Sequence, residues 1–211
     1  MEKQDFILLI MSCQKYIHKI LKQKSSWLLN LNKNIVYFHV IGDPSLQTNY
    51  HLDLINNILT IKTEDDYNSL PKKVIKAYEI IKNLYDFKFI FKTDDDQLLE
   101  TSNFFNILLP VLNKYENVNY GGFLINNQVD HISSYYKIHP ELPKNLLVKK
   151  GTYCNGRFYL LSNKAIEWLL QFKTSIEKEY FEDYAIGFYL SSDLKKDFLK
   201  LNTSFYFKDM D

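Results

Sequence analysis

Cysteine, glycine and arginine are scarce in this sequence. Its 211 residues include two cysteines, six glycines and a single arginine, Arg157. The cysteines, Cys13 and Cys154, lie far apart and no secretory signal precedes them, which argues against a disulfide framework and indicates reduced thiols. We therefore expect a cytoplasmic protein that is stabilised by its core rather than by cross-links.

The sequence also lacks long hydrophobic runs and an excess of either charge. The apolar run at residues 6–11 is six residues long, whereas a membrane-spanning helix needs about 20. Lysine and arginine number 26 against 25 acidic residues, giving a net charge of +1. These absences predict no transmembrane segment and no general attraction to nucleic acid or an anionic membrane, so any anionic ligand must be bound locally.

The apolar residues are sufficient for one compact domain. With 46% hydrophobic residues in 211, we expect a single domain over residues 1–211. The hydrophobic pattern predicts strands at residues 6–11, 34–41, 58–61, 87–91, 118–125 and 157–161, and helices at residues 16–28, 69–85, 102–113, 163–172 and 182–190. Strands that alternate with helices predict an α/β fold with a mostly parallel sheet.

Three consecutive aspartates, Asp94, Asp95 and Asp96, follow the predicted strand at residues 87–91 almost directly. Three carboxylates beside a core repel one another and lose solvation, which a divalent cation would offset. Alternate side chains of an extended backbone share a face, so Asp94 and Asp96 can bind one Mg²⁺ or Mn²⁺ together. The residues alone leave a solvated acidic turn as the alternative.

Three sequence blocks resemble the signature of a known enzyme family. In order they are KTDDD at residues 92–96, YCNGRFYLLS at residues 153–162 and EDYAIG at residues 182–187. Their order and spacing are similar to those of the β-1,3-galactosyltransferase-like enzymes, glycosyltransferase family 31. The resemblance covers most of the chain. It implies a GT-A fold with a Rossmann-like sheet, and an inverting transfer of a hexose from a UDP-sugar to a glycan or glycoprotein.

The resemblance also implies a metal cofactor, Mn²⁺ or Mg²⁺. Asp94 and Asp96 would bind the metal and the nucleotide, with Asp96 the more direct ligand. Several enzymes of this fold add a histidine ligand near the C-terminus, but no histidine follows His139 in this chain. Water, diphosphate oxygens, or Asp209 and Asp211 would then complete the coordination shell.

Other residues are candidates for binding the nucleotide sugar. Asp95 would contact the sugar or the ribose, and Gly156 would allow close approach of the backbone to a sugar. Further candidates by position or resemblance are Ser12, Cys13, Asp43, Lys73 and Lys92. Ser12, Cys13, Asp43 and Lys73 could equally be turn or surface residues.

The acidic pair Glu182-Asp183 is the candidate catalytic base. By resemblance, Asp183 would take the proton from the acceptor hydroxyl, with Glu182 as its substitute. The alternative is an acidic pair that complements the dipole at the start of a helix. Arg157 departs from the family pattern, in which glycine is frequent at this position. It could pair with the diphosphate or with an acidic residue such as Glu182.

The polar segment at residues 126–150 is long for a loop in a compact domain. Its aromatic and histidine side chains, at His131, Tyr135, Tyr136 and His139, suggest a lid that orders over the donor, and a disordered surface loop is the alternative.

Two other functions remain open. A metal-dependent phosphohydrolase or nucleotidyltransferase would use the aspartates similarly but leaves the later blocks unexplained, and a non-catalytic sugar-binding module would keep only the fold.

Overall fold

An eight-stranded mixed sheet forms the centre of the fold in the computed structural model, which describes residues 1–101 and 103–210. The strands are β1 Glu2–Lys3, β2 Phe6–Met11, β3 Ile35–Gly42, β4 Tyr50–Asp53, β5 Ile58–Ile61, β6 Tyr85–Asp86, β7 Phe89–Asp94, β8 Gln97–Leu99, β9 Tyr120–Asn127, β10 His131–Ile132, β11 Leu147–Val148, β12 Gly151–Ser162, β13 Leu199–Lys200 and β14 Phe207–Asp209. The helices are α1 Ile17–Lys24, α2 Leu70–Leu84, α3 Phe104–Lys114, α4 Asn163–Leu170, α5 Lys173–Ile176, α6 Glu182–Tyr189 and α7 Thr203–Tyr206.

Four parallel strands occupy the middle of the large sheet. The strand order is β13-β9-β12-β7-β2-β3-β5-β4, and the pairings among β7, β2, β3 and β5 are all parallel. Every residue of β2 is buried, as expected for a strand covered on both faces. The long strand β12 runs antiparallel between β7 and β9. The predicted α/β architecture is therefore confirmed, with an antiparallel strand inserted beside the parallel centre.

Alternating side chains of the sheet divide the core into two layers. Along β2, Ile7 and Leu9 pack with the apolar faces of α2, α4 and α6 on one side of the sheet. Leu8 and Ile10 pack on the other side with Trp27 and with α3. This alternation follows from the period of two in a β-strand. The two layers hold the carboxyl ends of β2 and β7 in fixed positions.

Local signals in the sequence fix the helix ends. α2 has Pro71 in its first turn, where proline is favoured because its missing N–H would have no intrahelical partner. α4 begins after Ser162, whose side chain accepts a hydrogen bond from the backbone N–H of Ala165 at 3.1 Å. Among the described residues, no helix is long and apolar enough to cross a membrane.

The bounds of two predicted elements differ most from those in the structure. The helix predicted at residues 16–28 ends at Lys24, and a 3₁₀ turn follows at Trp27–Asn30. The hydroxyl of Ser26 donates to the carbonyl of Lys22 at 2.7 Å, a local bond that competes with helix continuation. The strand predicted at residues 157–161 begins already at Gly151, because it pairs with the end of β9. Ser102, the predicted start of α3, lies outside the described residues.

Gly187 of α6 packs directly against β12. A Cβ atom added at Gly187 would lie 2.2 Å from the Cβ and 2.5 Å from the Cα of Tyr153. We expect Gly187→Ala to lower the free energy of unfolding by about 2 kcal/mol or more, because no rotamer change relieves a contact with the backbone. Urea denaturation measures this change. Gly151→Ala is the control, since no atom lies within 4 Å of its added Cβ, and equal stability of the two variants would contradict the packing.

Candidate active site

A cleft of about 1100 Å³ opens where β2 and β7 end. Ligands of open α/β sheets bind at this carboxyl edge. The loop after β2, the end of β7, the middle of β12 and the start of α6 all contribute to its wall. The predicted catalytic, metal-binding and nucleotide-sugar-binding residues that line the cleft are Ser12, Cys13, Lys73, Lys92, Asp94, Asp95, Asp96, Gly156, Arg157, Glu182, Asp183 and Asp209.

Lys92 is a buried cation at the base of this cleft. Its side chain is 1% exposed, and its Nζ lies 2.7 Å from Asp94 Oδ1 and 3.0 Å from Glu182 Oε2. Nζ also donates to the carbonyl of Gly156 at 3.0 Å. Burial alone would lower the pKa of Lys92, but the two carboxylates outweigh it and raise that pKa above its ordinary value. Lys92 therefore joins β7, β12 and α6 as a permanent positive charge.

The three aspartates point to three different sets of partners. Asp94 pairs with Lys92, as described above. Asp95 is buried; its Oδ2 accepts a 2.6 Å hydrogen bond from the hydroxyl of Ser12, and Lys19 lies 3.7 Å from its Oδ1. Asp96 is partly exposed and accepts from Gln97 Nε2 at 2.9 Å. Of the three carboxylates, only that of Asp96 has no cation or hydroxyl among its described partners.

Glu182 is fully engaged by its buried neighbours. Besides the ion pair with Lys92, its Oε1 accepts a hydrogen bond from the hydroxyl of Tyr159, and the hydroxyl of Tyr78 lies 2.6 Å from that of Tyr159. Glu182 is 4% exposed. These contacts place Glu182 in the supporting structure of the cleft, and they do not favour it as a substitute base.

Asp183 lines the cleft, and two backbone N–H groups hold its carboxylate. Its Oδ2 accepts from the backbone N–H of Gly156 at 3.0 Å and its Oδ1 from that of Tyr184 at 2.7 Å. An irregularity in the register of β12 between Cys154 and Tyr159 directs the Gly156 N–H toward α6. Burial, followed by the nearby charge of Glu182, raises the pKa of Asp183 to about 6. A carboxylate with this pKa is well matched to accepting a proton near neutral pH.

A second carboxylate lies beside Asp96. The strand β14 pairs antiparallel with β8 and brings Asp209 opposite Gln97. Gln97 Nε2 donates to the Oδ1 atoms of both Asp96 and Asp209, and Arg157 Nη2 donates to Asp209 Oδ1 at 2.8 Å. The acidic partner of Arg157 is therefore Asp209 and not Glu182. Asp211, the other predicted C-terminal ligand, lies outside the described residues.

The described part of the chain contains no group of three histidine, cysteine or acidic side chains that could hold a metal ion. Asp96 and Asp209 together supply two carboxylates on one side of the cleft. A coordination shell built there needs further oxygen ligands, such as those of water or a bound diphosphate.

Asp65 was not among the residues predicted from the sequence, and it organises the part of the cleft where β2 and β3 end. Its Oδ1 accepts from Lys73 Nζ at 2.6 Å and from the backbone N–H of Gly42 at 2.7 Å. Lys73 Nζ also donates to the carbonyl of Ser12 at 2.6 Å. Asp65 thus ties the ends of β2 and β3 to α2. Nothing in the spacing of the sequence distinguishes it from the adjacent Asp66.

Asp43 does not occupy the predicted position in the cleft. Its carboxylate accepts from the backbone N–H and the hydroxyl of Ser45, at 2.9 and 2.7 Å, in an exposed turn. Such a local hydrogen bond is a common role for aspartate after a strand. Cys13 does line the cleft, but burial raises the pKa of its thiol, so it is present as a neutral thiol at neutral pH.

The segment at residues 126–150 is ordered over one side of the cleft. His139 stacks on Tyr67 with ring centroids 4.0 Å apart and on Tyr135 at 5.3 Å. Tyr135 in turn contacts Phe181 edge-on at 5.8 Å. These aromatic contacts connect the loop before α2 to the loop before α6. His131 also lines the cleft.

Comparison with known protein families gives one match over most of the chain. A family model described as galactosyltransferase matches residues 21–197. UDP-GalNAc:beta-1,3-N-acetylgalactosaminyltransferase 2 of Xenopus laevis is 24% identical over 139 residues, which cover 64% of this chain and 27% of that relative. UDP-GalNAc:beta-1,3-N-acetylgalactosaminyltransferase 1 of Rattus norvegicus is 26% identical over 137 residues, covering 60% and 38%. The matched region therefore spans less than half the length of these relatives.

A solved structure has the same fold. The crystal structure of a glycosyltransferase involved in the glycosylation of the major capsid of PBCV-1 superimposes with a TM-score of 0.51 at 11% sequence identity. The match covers 93% of this chain and 81% of that chain. At this identity the likeness concerns the fold alone, and it agrees with the architecture predicted from the sequence.

Replacing Lys92 by methionine tests the buried ion pairs. We expect Lys92→Met to lower the free energy of unfolding by about 3–5 kcal/mol, because it leaves Asp94 and Glu182 without their buried counter-ion. Lys88→Met is the matched control, since it removes a surface pair with Asp5 and costs about 1 kcal/mol or less. Chemical denaturation of both variants measures the difference, and similar losses would contradict a buried role for Lys92.

Proposed function

The chain belongs to the galactosyltransferase family, and from this membership we propose that it transfers a hexose-type sugar from a UDP-sugar to a hydroxyl of a glycan or glycoprotein. The GT-A fold and the cleft at the carboxyl edge of its sheet agree with such a donor. The relatives named above carry UDP-GalNAc in their names. We propose this class of donor without assigning a particular sugar.

The observation that carries the proposal is the separation of roles between Glu182 and Asp183. Lys92 and Tyr159 engage Glu182, while Asp183 faces the cleft with a pKa of about 6. In the proposed mechanism, an acceptor hydroxyl binds against Asp183, which takes its proton as the oxygen attacks the anomeric carbon. The bond from that carbon to the diphosphate breaks as the new bond forms. Attack from the side opposite the leaving group inverts the anomeric centre.

The residues fit a divalent metal at the leaving-group side of the cleft. Asp96 and Asp209 flank Gln97 Nε2 and carry the oxygen ligands that Mn²⁺ and Mg²⁺ prefer. Asp94 is a less direct candidate than Asp96, because it must first separate from Lys92. When bound, the metal would neutralise charge on the departing diphosphate. Arg157, next to Asp209, would add positive charge on the same side.

The other predicted donor contacts have supporting roles in this proposal. Ser12 and Lys19 hold Asp95 in place, so Asp95 would contact a ribose or sugar hydroxyl through the small part of its side chain that remains exposed. Gly156 presents its backbone to both Asp183 and Lys92. We infer that Gly156 fixes the orientation of the base and leaves room for the reacting sugar.

The direct test of the proposal is the Asp183→Asn variant. We expect it to lower sugar transfer by about a hundredfold or more, since a positioned general base contributes on that scale, while UDP still binds. Transfer is measured as the UDP release from a panel of UDP-sugars with Mn²⁺ that depends on added glycan acceptors, and UDP binding is measured by calorimetry. Asp197→Asn, an exposed change away from the cleft, is the control. Full transfer by Asp183→Asn with UDP bound would remove the base assignment, and a wild-type protein that neither binds UDP nor releases it would remove the function.

The pH dependence of transfer gives an independent test. Asp183 must be ionised to accept a proton, and its pKa is raised to about 6. We therefore expect kcat/KM to be level above neutral pH and to fall about tenfold per pH unit well below 6. Initial rates at saturating metal measure the profile. A rate that stays constant down to pH values near the ordinary aspartate pKa of about 4 would contradict the role of Asp183.

A further inference from the structure

The proposed metal site has few protein ligands of its own. Asp96 and Asp209 supply two neighbouring carboxylates. Within the described residues, no third histidine, cysteine or acidic side chain is placed to complete a metal site with them. Mg²⁺ demands an octahedral set of oxygen ligands, and amide carbonyl oxygens suit Mg²⁺ and Mn²⁺ as carboxylates do. The amide side chain nearest to both carboxylates is that of Gln97.

The amide nitrogen of Gln97 lies between these two carboxylates. Gln97 Nε2 is 2.9 Å from Asp96 Oδ1 and 2.8 Å from Asp209 Oδ1. A glutamine amide has two N–H donors, so these contacts use both of them. The positive end of the amide dipole therefore occupies a position between two anionic oxygens to which a cation would also be attracted.

The amide oxygen of the same side chain is in the opposite situation. Gln97 is 4% exposed, and its Oε1 is buried without a hydrogen bond from any described residue. A buried acceptor that is left unpaired costs about 1–3 kcal/mol. An ion that uses the oxygen is one of the few explanations for such a group in a native site. The nitrogen of this amide is thus fully bonded, whereas its oxygen is not.

A half-turn of the terminal amide exchanges these two atoms. The last torsion of a glutamine side chain is broad and roughly two-fold, so the exchange requires no movement of the backbone. It puts Oε1 of Gln97 between Asp96 and Asp209, in the place that Nε2 has in the structure. The two hydrogen bonds of Nε2 are lost, and a cation bound to all three oxygens replaces them.

Buried contacts hold the backbone of Gln97, on which the amide turns. The carbonyl of Gln97 accepts from Gln23 Nε2 at 2.8 Å, and the same nitrogen donates to the carbonyl of Asp94 at 3.1 Å. His39 Nε2 lies 2.9 Å from Gln23 Oε1 and orients that amide. Gln97 also lies opposite Asp209 in the pairing of β8 with β14. The side chain can therefore turn while its backbone stays fixed beside the two carboxylates.

We propose that Gln97 Oε1 is the third protein ligand of the divalent metal, together with Asp96 and Asp209. The proposal rests on the metal site of the proposed function and adds a ligand to it. Because an amide oxygen is neutral, the two carboxylates alone balance the two positive charges of Mn²⁺ or Mg²⁺. In the absence of the metal, Nε2 lies between the carboxylates, so the same side chain stabilises both forms of the site.

The metal affinity of Gln97 variants tests the proposal. Mn²⁺ binding to the full chain with saturating UDP is measured from the paramagnetic resonance signal of the free ion, which requires no sugar transfer. Gln97→Met keeps the size of the side chain but has no oxygen, and we expect it to raise the Kd for Mn²⁺ about tenfold or more. Gln97→Glu keeps an oxygen at the same position, and we expect it to bind Mn²⁺ at least as tightly as the wild type does.

Thermal unfolding of Gln97→Glu gives a second readout. Without metal, this variant places a third carboxylate beside Asp96 and Asp209 and loses both N–H donors, so its Tm should be lower than that of the wild type. Mn²⁺ should then raise its Tm by more than it raises the Tm of the wild type. A smaller rise than that of the wild type would contradict a ligand at this position.

The matched control is Gln171→Met, which changes an exposed glutamine at the end of α4, outside the cleft. It should bind Mn²⁺ as the wild type does. If Gln97→Met binds Mn²⁺ as tightly as the wild type or more tightly, this proposal alone is overturned, because the amide then only occupies the place of the metal. Gln97→Glu binding as weakly as Gln97→Met also overturns it. A wild-type chain that binds UDP without Mn²⁺ removes the metal from the proposed function and this proposal with it. Circular dichroism verifies that each variant is folded.

Discussion

The buried ammonium group of Lys92 determines how the carboxylates of the cleft divide their roles. It lies between Asp94 and Glu182, two acidic residues from separate elements that would otherwise repel each other in a poorly solvated site. By pairing with these two, Lys92 leaves Asp96 and Asp183 as the carboxylates of β7's end and of α6 that line the cleft without a counter-ion among their described partners. Lys92 Nζ also donates a hydrogen bond to the Gly156 carbonyl, which connects β12 to the same ion pairs. One cation thus orders the sheet edge, the pocket wall and the start of α6.

Much of the fold was predictable because its signals are local. Fully apolar strands such as β2, the proline at the start of α2 and the serine cap of α4 each act within a few residues. The three sequence blocks at residues 92–96, 153–162 and 182–187, by their order and spacing, predicted the family that the comparison then matched. The part of β12 before Arg157 was missed because its residues form a strand only by pairing with β9. Tertiary pairing, and not local preference, decides such segments.

The candidate site was predicted in composition but not in its internal pairing. Sequence spacing placed Asp94 and Asp96 together, whereas the structure ties Asp94 to Lys92 and brings Asp209 next to Asp96 through the pairing of β14 with β8. Sequence spacing also could not distinguish Asp43, which closes a turn, from Asp65, which binds Lys73. These choices depend on contacts between residues far apart in the chain. A side chain's partners, more than its type, set its role.

We propose that Lys92 keeps Asp94 in an ion pair and that Asp96 and Asp209 bind a metal beside the diphosphate. A crystal structure of the chain with Mn²⁺ and UDP tests it most directly, because anomalous scattering locates the ion. We expect one Mn²⁺ coordinated by Asp96, Asp209 and diphosphate oxygens, with the ion pair between Lys92 and Asp94 intact. An ion bound by Asp94 with Lys92 displaced, or UDP bound away from Asp96, would contradict it.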